Sequence, residues 1–300
     1  MADRPRCAET ARSLGEALVG TASTVRRWLL VEQPGAWGSE ALTASELPPA
    51  VATPLAAAAR AAGVRILLVR PRPGPARSRS SARRCLLGMS GPTAPWLREA
   101  TTDVAELASL DLAALFAAGG SGFGAPATDP AFLVCTHGRH DPCCADHGRP
   151  LVRALAGGGR AGVWESSHLG GDRFAGNLLC LPHGLYFGRV APEEGVRVAD
   201  AYRDGRIELE RYRGRSCFSM VVQAAEGLVR LERDLRGVDD LVPVRRLRRA
   251  KGEDDVVLRE ADGRTWVARV RTSAAAPRLL TCNGPEGRPP AYELVGLEVS

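Results

Sequence analysis

The chain has 300 residues, 45% of them hydrophobic, and a formal net charge of +6. This length exceeds that of most single domains and predicts two domains with an appendage. No apolar run reaches about 18 residues, which excludes a transmembrane helix, and no apolar segment follows the charged N-terminus, which argues against a secretory signal. We therefore expect a cytoplasmic protein whose eight cysteines are ligands or free thiols rather than disulfides.

Arginine supplies nearly all of the positive charge, and Lys251 is the only lysine. The arginines are densest at 70–84 and at 245–251. Because the first of these segments lacks large apolar side chains, we expect it to form a mobile loop. We expect the arginines to lie on a solvated surface. Binding of an acidic redox partner is the alternative, and nucleic acid is the least favoured partner.

The N-terminal part of the chain alternates helical and strand patterns. The predicted elements are a helix from residue 8, a strand at 25–31, a helix at 50–62, strands at 64–69 and 84–89, and a short helix at 103–118. A glycine-rich segment at 119–126 cannot hold regular structure cheaply and predicts a linker. We therefore predict an N-terminal α/β domain over residues 1–125.

The next part of the chain predicts a second domain, over residues 129–236. Its predicted elements are a strand through Val134, a ligand-bearing loop, a helix at 148–156, strands at 162–165, 178–181 and 185–190, and helices at 193–203 and 217–232. This order of strands and helices predicts a thioredoxin-like domain. The tail, residues 237–300, has alternating strands around Asp262-Gly263 and predicts a small β appendage. The predicted fold class is thus α/β (α+β).

Residues 131–188 concentrate the chemistry of metal ligands, since they contain all five histidines and four of the eight cysteines. Soft thiolate ligands select zinc, copper(I) or iron–sulfur clusters. The spacing from Cys135 to Cys144 is longer than in most zinc knuckles and suits a cluster, which spreads its ligands over two irons. His168-Leu-Gly-Gly-Asp172 supplies a second ligand loop, whose glycines let the backbone approach a bulky group.

Cys135-Thr-His-Gly-x-x-Asp-x-Cys-Cys144, Ser-His168-Leu-Gly-Gly and Phe174-Ala-Gly-Asn177 resemble the sucrase/ferredoxin-like family of thioredoxin-like [2Fe-2S] proteins. Segments 28–32 and 223–226 also resemble it, so the resemblance covers nearly the whole chain. In similar fungal proteins, two cysteines and a His-x-x-x-His pair hold the cluster. The resemblance implies that Cys135 and Cys144 hold one iron and His168 the other, with Asp172 in place of the second histidine.

The fourth cluster ligand stays open at this point. A carboxylate such as Asp172 is harder than imidazole, and the cluster would lose part of the rise in potential that neutral imidazole gives. The alternatives to Asp172 are Cys143, Cys180 and His183. Side chains expected to lie at the surface or to support ligands are His137, His140 and His147. The cysteines that are isolated in the sequence, and expected to be structural, are Cys7, Cys85, Cys217 and Cys282.

The resemblance favours a one-electron carrier that works with a redox partner, either a reductase or an acceptor, rather than a stand-alone enzyme. A zinc-stabilised interaction module is one alternative. A thiol–disulfide redox protein is another, weakened because no Cys-x-x-Cys lies at the first strand-to-helix turn and because adjacent Cys143 and Cys144 cannot form a relaxed disulfide. No carboxylate pair of the glycosidase kind is evident, so we expect no sucrase activity.

Overall fold

The computed structural model describes residues 6–72 and 81–299. Its helices are α1 (Cys7–Ser13), α2 (Pro49–Ala61), α3 (Leu112–Ala117), α4 (Pro142–Gly157), α5 (Pro192–Arg203) and α6 (Met220–Arg233). Short 3₁₀ helices lie at Val104–Ser109, Asp172–Phe174 and Leu209–Arg211. The content of 28% helix and 34% strand confirms the predicted mixed α/β class.

The strands of the N-terminal half are β1 (Arg27–Glu32), β2 (Val64–Arg72), β3 (Ala82–Met89), β4 (Trp96–Asp103), β5 (Ala125–Pro126) and β6 (Ala131–Cys135). Those that follow in the centre of the chain are β7 (Val163–Ser166), β8 (Leu178–Leu181), β9 (Leu185–Phe187) and β10 (Tyr212–Arg215). The C-terminal strands are β11 (Leu241–Ala250), β12 (Glu253–Glu260), β13 (Thr265–Ala274), β14 (Arg278–Leu279), β15 (Glu286–Gly287) and β16 (Pro290–Val299).

A ten-stranded mixed sheet forms the centre of the fold, in the order β10-β9-β8-β6-β7-β2-β1-β3-β4-β5. The β1–β2 and β6–β7 pairs are parallel and the other neighbouring pairs are antiparallel. The sheet curls, so that Trp28 and Leu30 of β1 pack in one core with Leu133 of β6 and Leu179 of β8. Strands β6 and β8 are buried throughout, which accounts for their continuous apolar sequences.

The sheet continues across the predicted boundary between the first two domains. Strand β2 pairs with β7, with Val69 opposite Ser166. The glycine-rich segment at 119–126 includes β5, which pairs with β4, and its Phe123 side chain is buried. The division into domains at 1–125, 129–236 and 237–300 stays a prediction. The thioredoxin-like label also stays a prediction, and the strand order β9-β8-β6-β7 is the observation that supports it.

Several elements differ from those predicted. Strands β4 and β10 were missed because charged side chains interrupt their apolar patterns. Helix α4 begins at Pro142 rather than at 148, because the Asp141 side chain accepts a hydrogen bond from the Cys143 amide and caps the helix. Both ends of the segment predicted as a loop at 70–84 belong to strands, since β2 extends to Arg72 and β3 begins at Ala82. Residues 73–80 lie outside the described residues.

The C-terminal part forms a four-stranded antiparallel sheet in the order β11-β12-β13-β16, as the predicted β appendage requires. The turn at Asp262 and Gly263 joins β12 to β13. Helix α6 packs its Ala225 and Val229 side chains against this sheet. Between β13 and β16, strands β14 and β15 pair with each other, and β14 lies near α1. Among the described residues, no helix is long and apolar enough to cross a membrane.

A buried ion pair connects α6 to the C-terminal sheet. Arg230 and Glu226 are one helical turn apart and fully buried, and the Tyr212 hydroxyl donates to the Glu226 carboxylate at 3.0 Å. The Arg230 guanidinium also donates to the carbonyls of Leu235, at 2.9 Å, and Val238, at 3.0 Å. The Arg230 guanidinium therefore neutralises the buried carboxylate and also donates hydrogen bonds to the backbone carbonyls that lead into β11.

We expect Arg230→Ala to destabilise the protein by about 3–5 kcal/mol, because it leaves a buried carboxylate without its cation. Urea unfolding followed by circular dichroism measures this loss. The matched control is Glu232→Ala, at an exposed position of the same helix, which should change stability by no more than about 0.5 kcal/mol. Equal losses in the two variants would contradict the importance of this ion pair.

Candidate metal centre

The first two predicted ligands come from the end of a strand and the start of a helix. Cys135 is the last residue of β6, and Cys144 lies in the first turn of α4. Both thiols are buried, with 1% of each residue exposed. Gly148 allows the helix to approach the strand, since a Cβ at this position would overlap the carbonyl oxygen of Cys135. The close packing of α4 on β6 therefore brings the two cysteines together.

The other two predicted ligands lie in the loop between β7 and β8. Asp172 begins a 3₁₀ helix there, and Gly171 before it has a φ of +80°, in the left-handed region that favours glycine. A Cβ on Gly171 would also overlap the guanidinium of Arg213. The backbone therefore turns sharply between His168 and Asp172.

The structure brings all four predicted ligands to one place. The Sγ atoms of Cys135 and Cys144 and a ring nitrogen of His168 lie within 4.8 Å of one another. The Cys144 thiol donates to Asp172 Oδ1 at 3.1 Å, and His168 Nδ1 lies 2.9 Å from the same oxygen. Among the described residues, this buried nitrogen has no well-aligned hydrogen-bond partner despite that short contact.

His140 also belongs to this site, although its sequence position alone did not select it as a ligand. Its ring stacks on that of His168, with 3.8 Å between the ring centroids. Its Nε2 atom lies 3.7 Å from Asp172 Oδ2, and a nitrogen of each imidazole lies within 4.8 Å of the carboxylate. The position of His140 between Cys135 and Cys144 was the signal that could have identified it.

The four predicted ligands shift one another's pKa values. A hydrogen bond from Cys144 lowers the pKa of the Cys135 thiol, and His168 lowers it further, against burial, which raises it. The hydrogen bond to Cys135 and burial raise the pKa of Cys144. Burial lowers the pKa of His168, but Asp172 and Cys135 outweigh it and raise that pKa to about 9. Burial raises the pKa of Asp172, but His168 outweighs it and the pKa is lowered. A thiophilic cation can replace the protons at such a site.

Arg213 holds the ligand loop in place, and no feature of the sequence pointed to it. Its side chain is buried, with 1% of the residue exposed. The guanidinium donates to the carbonyl of Gly170 at 3.0 Å and to Asn177 Oδ1 at 2.7 Å, and the Asn177 amide donates to the carbonyl of Gly171 at 2.9 Å. An arginine in a short strand resembles an ordinary surface residue, so only the fold shows this role.

The alternative fourth ligands lie elsewhere. Cys180 packs in the apolar core beside α4 and α5, and burial raises its pKa. His183 Nδ1 lies 2.7 Å from the Tyr202 hydroxyl. Neither residue belongs to any group of close ligand atoms in residues 6–72 and 81–299. The Cys143 side chain turns away from Cys144, and its sulfur lies 3.8 Å from that of Cys7.

The chain matches the model of a known protein family. The model of a protein family described as sucrase/ferredoxin-like matches residues 18–214 of the chain. This segment contains Cys135, Cys144, His168 and Asp172, together with His140. No curated protein and no solved structure matches the chain significantly. The family match therefore covers about two thirds of the chain and the whole site described above.

His183 is expected to make stability depend on pH. Burial, with a contribution from Arg215 and against that of Asp239, lowers its pKa from 6.5 to about 4. The unfolded chain therefore takes up a proton on His183 near pH 6.5, whereas the folded chain takes it up only near pH 4. Because the unfolded state binds this proton more tightly, the free energy of unfolding falls as the pH is lowered between these values. Urea unfolding should show wild type losing about 2 kcal/mol more than His183→Gln between pH 7 and pH 5. Equal losses would contradict the prediction.

Proposed function

This chain belongs to the sucrase/ferredoxin-like family, and from that premise we propose that it binds a [2Fe-2S] cluster and carries electrons for a redox partner protein. The observation that carries the proposal is the convergence of two buried cysteines, from β6 and α4, with the imidazole of His168. Thiolate with imidazole is a known donor set for two-iron clusters.

The donors present fit such a cluster. Cys135 and Cys144 would hold one iron, and His168 would hold the other, through a buried nitrogen that lacks an aligned hydrogen-bond partner among the described residues. Asp172 would be the fourth ligand, with His140 as the alternative, because both lie against His168. When bound, the cluster would supply one-electron transfer.

The side chains around the site suggest how electrons would reach it. The two cysteines are buried, whereas the side chains of His140 and His168 are 33% and 23% exposed. The histidine side of the site therefore faces solvent, and a partner would exchange electrons there. The buried guanidinium of Arg213 would favour the more negative, reduced state of the site, since its positive charge is poorly screened in the interior.

We also propose that the partner presents an acidic surface. A hollow of about 410 Å³ beside the loop at 136–142 is lined by Arg70, Arg139 and Arg149, together with one aspartate, Asp146. Arg139 and Arg149 are exposed and lie close in sequence to the candidate ligands. Positive side chains at such a rim accelerate the encounter with an acidic partner.

A cytoplasmic location is part of the same proposal, supported by the absence of disulfides among the eight cysteines, all of which lie in described residues.

We expect the protein, purified anaerobically, to be red-brown and to contain about two irons and two acid-labile sulfides per chain. Cys135→Ser and Cys144→Ser should lose the colour and the iron, because a hydroxyl replaces thiolate poorly on ferric iron. The matched control is Cys217→Ser, which removes another buried thiol and should keep both. Colourless wild-type protein without iron would favour the zinc or thiol–disulfide alternatives. Bleaching by Cys143→Ser but not by Cys144→Ser would show that the ligand register is wrong.

We expect Asp172→His to raise the midpoint potential of the cluster, since neutral imidazole removes a negative charge where reduction adds an electron. A tenfold change in the equilibrium corresponds to about 60 mV for one electron. The potential should also become more pH-dependent, because bound imidazole can lose its second proton. Electrochemical titration from about pH 6 to pH 9, the range that brackets imidazole titration, measures both effects. Asp146→Asn removes one negative charge at an exposed site over this whole pH range and is the control. An unchanged potential would make His140 the candidate for the fourth position.

A further inference from the structure

A second group of cysteines lies on the other side of the first turn of α4. Cys7, Cys143 and Cys282 are far apart in the sequence, yet their sulfur atoms meet beside the carboxylate of Asp141. We propose that these three cysteines and Asp141 bind one zinc ion as a structural site. The family match at 18–214 includes neither Cys7 nor Cys282, so this site goes beyond the proposed electron transfer.

The distances between the sulfur atoms suit one tetrahedral ion. They are 3.8 Å for Cys7 and Cys143, 3.4 Å for Cys143 and Cys282, and 3.5 Å for Cys7 and Cys282. A tetrahedral zinc ion with Zn–S bonds of about 2.3 Å separates its sulfur ligands by about 3.8 Å. The carboxylate oxygens of Asp141 lie 3.8 and 3.9 Å from Cys7 Sγ, which places an oxygen at the fourth corner. All of these sulfur separations are too long for a disulfide.

Burial also favours a bound cation. Cys7 and Asp141 are 0% exposed, and Cys143 and Cys282 are 1% and 6% exposed. No lysine or arginine in residues 6–72 and 81–299 forms an ion pair with the Asp141 carboxylate, which instead accepts hydrogen bonds from the amides of Cys143, at 2.9 Å, and Cys282, at 2.6 Å. Burying a carboxylate among apolar neighbours is costly unless hydrogen bonds or a cation compensate its charge.

Several groups already stabilise thiolates at this site. The amide of Cys7 donates to the sulfur of Cys282 at 3.4 Å. Cys143 lies at the N-terminal end of the 16-residue helix α4, where the helix dipole lowers the cost of a negative charge. Soft thiolates in a closed tetrahedral arrangement are the donor set of structural zinc sites, whereas a catalytic zinc site keeps one position open. The three thiols and one carboxylate supply the four donors that one tetrahedral ion needs.

Zinc at this site would join three remote parts of the chain. Cys7 lies in α1, Cys143 in the first turn of α4, and Cys282 in the connection between β14 and β15. The separations in sequence are 136 residues from Cys7 to Cys143 and 139 residues from Cys143 to Cys282. Cys144 follows directly in the same helical turn, so the two sites are neighbours that use different residues.

Metal analysis of the full chain tests the proposal. We expect about one zinc per wild-type chain, in addition to any iron. Cys7→Ser and Cys282→Ser should lose the zinc and keep the iron, and Cys135→Ser should show the reverse pattern. The control variant Cys217→Ser should keep both metals. Wild-type protein without zinc, or zinc that remains in Cys7→Ser and Cys282→Ser, would overturn the proposal. Wild-type protein that binds this zinc but no iron would contradict only the proposed electron transfer.

A second measurement leaves the three cysteines unchanged, so it does not depend on whether their variants fold. A variant that combines Cys135→Ser with Cys144→Ser should be colourless and has no thiol left at the first site. Replacing its zinc by Co²⁺ should produce thiolate-to-cobalt charge transfer in the near ultraviolet and tetrahedral ligand-field bands in the visible. Zn²⁺ should then displace Co²⁺ and abolish the bands. Absence of the bands, or a mass spectrum that shows a disulfide between any two of these cysteines in freshly purified protein, would overturn the proposal.

Discussion

The start of helix α4 is the constraint on which both groups of cysteines depend. Asp141 caps the helix through the Cys143 amide, and Pro142 at the first helical position fixes the entry of the chain. Because an α-helix turns by about 100° per residue, the two adjacent cysteines of the first turn must point in different directions. Cys144 faces Cys135 and the histidines, and Cys143 faces the opposite group. Asp141 both caps the helix and belongs to the second group.

Two buried arginines fix further segments of the chain. Arg213 is compensated by carbonyls and by the Asn177 side chain, and it thereby fixes the loop from His168 to Asp172. Arg230 is compensated by Glu226 and by backbone carbonyls, and it fixes the chain that enters β11. In each case the cost of burying a cation is offset only when the surrounding backbone adopts one arrangement. Two arginines therefore specify loop geometry that apolar packing alone would leave undetermined.

The arrangement separates the buried and exposed parts of the candidate centre. The cysteines are buried, while the side chains of His140 and His168 are partly exposed, and Arg139, next to His140 in sequence, is exposed. A redox group in such a site would be protected from water on its sulfur side and open to a partner on its nitrogen side. The same helix start that buries Cys144 leaves Arg139 exposed and Gly138 and His140 partly exposed. Protection and access thus come from one structural element.

Local features of this protein can be predicted from its amino-acid sequence. Apolar runs predicted β2, β6 and β8, because a strand buried on both faces is continuously apolar. Residue types and family motifs predicted four ligands that the structure brings together, namely Cys135, Cys144, His168 and Asp172. The tertiary structure alone decided the contacts between distant segments. The meeting of Cys7, Cys143 and Cys282, the stacking of His140 on His168, and the burial of Arg213 leave no periodic signal. Periodicity reports which face of one element is apolar, whereas such contacts depend on how separate elements pack against one another.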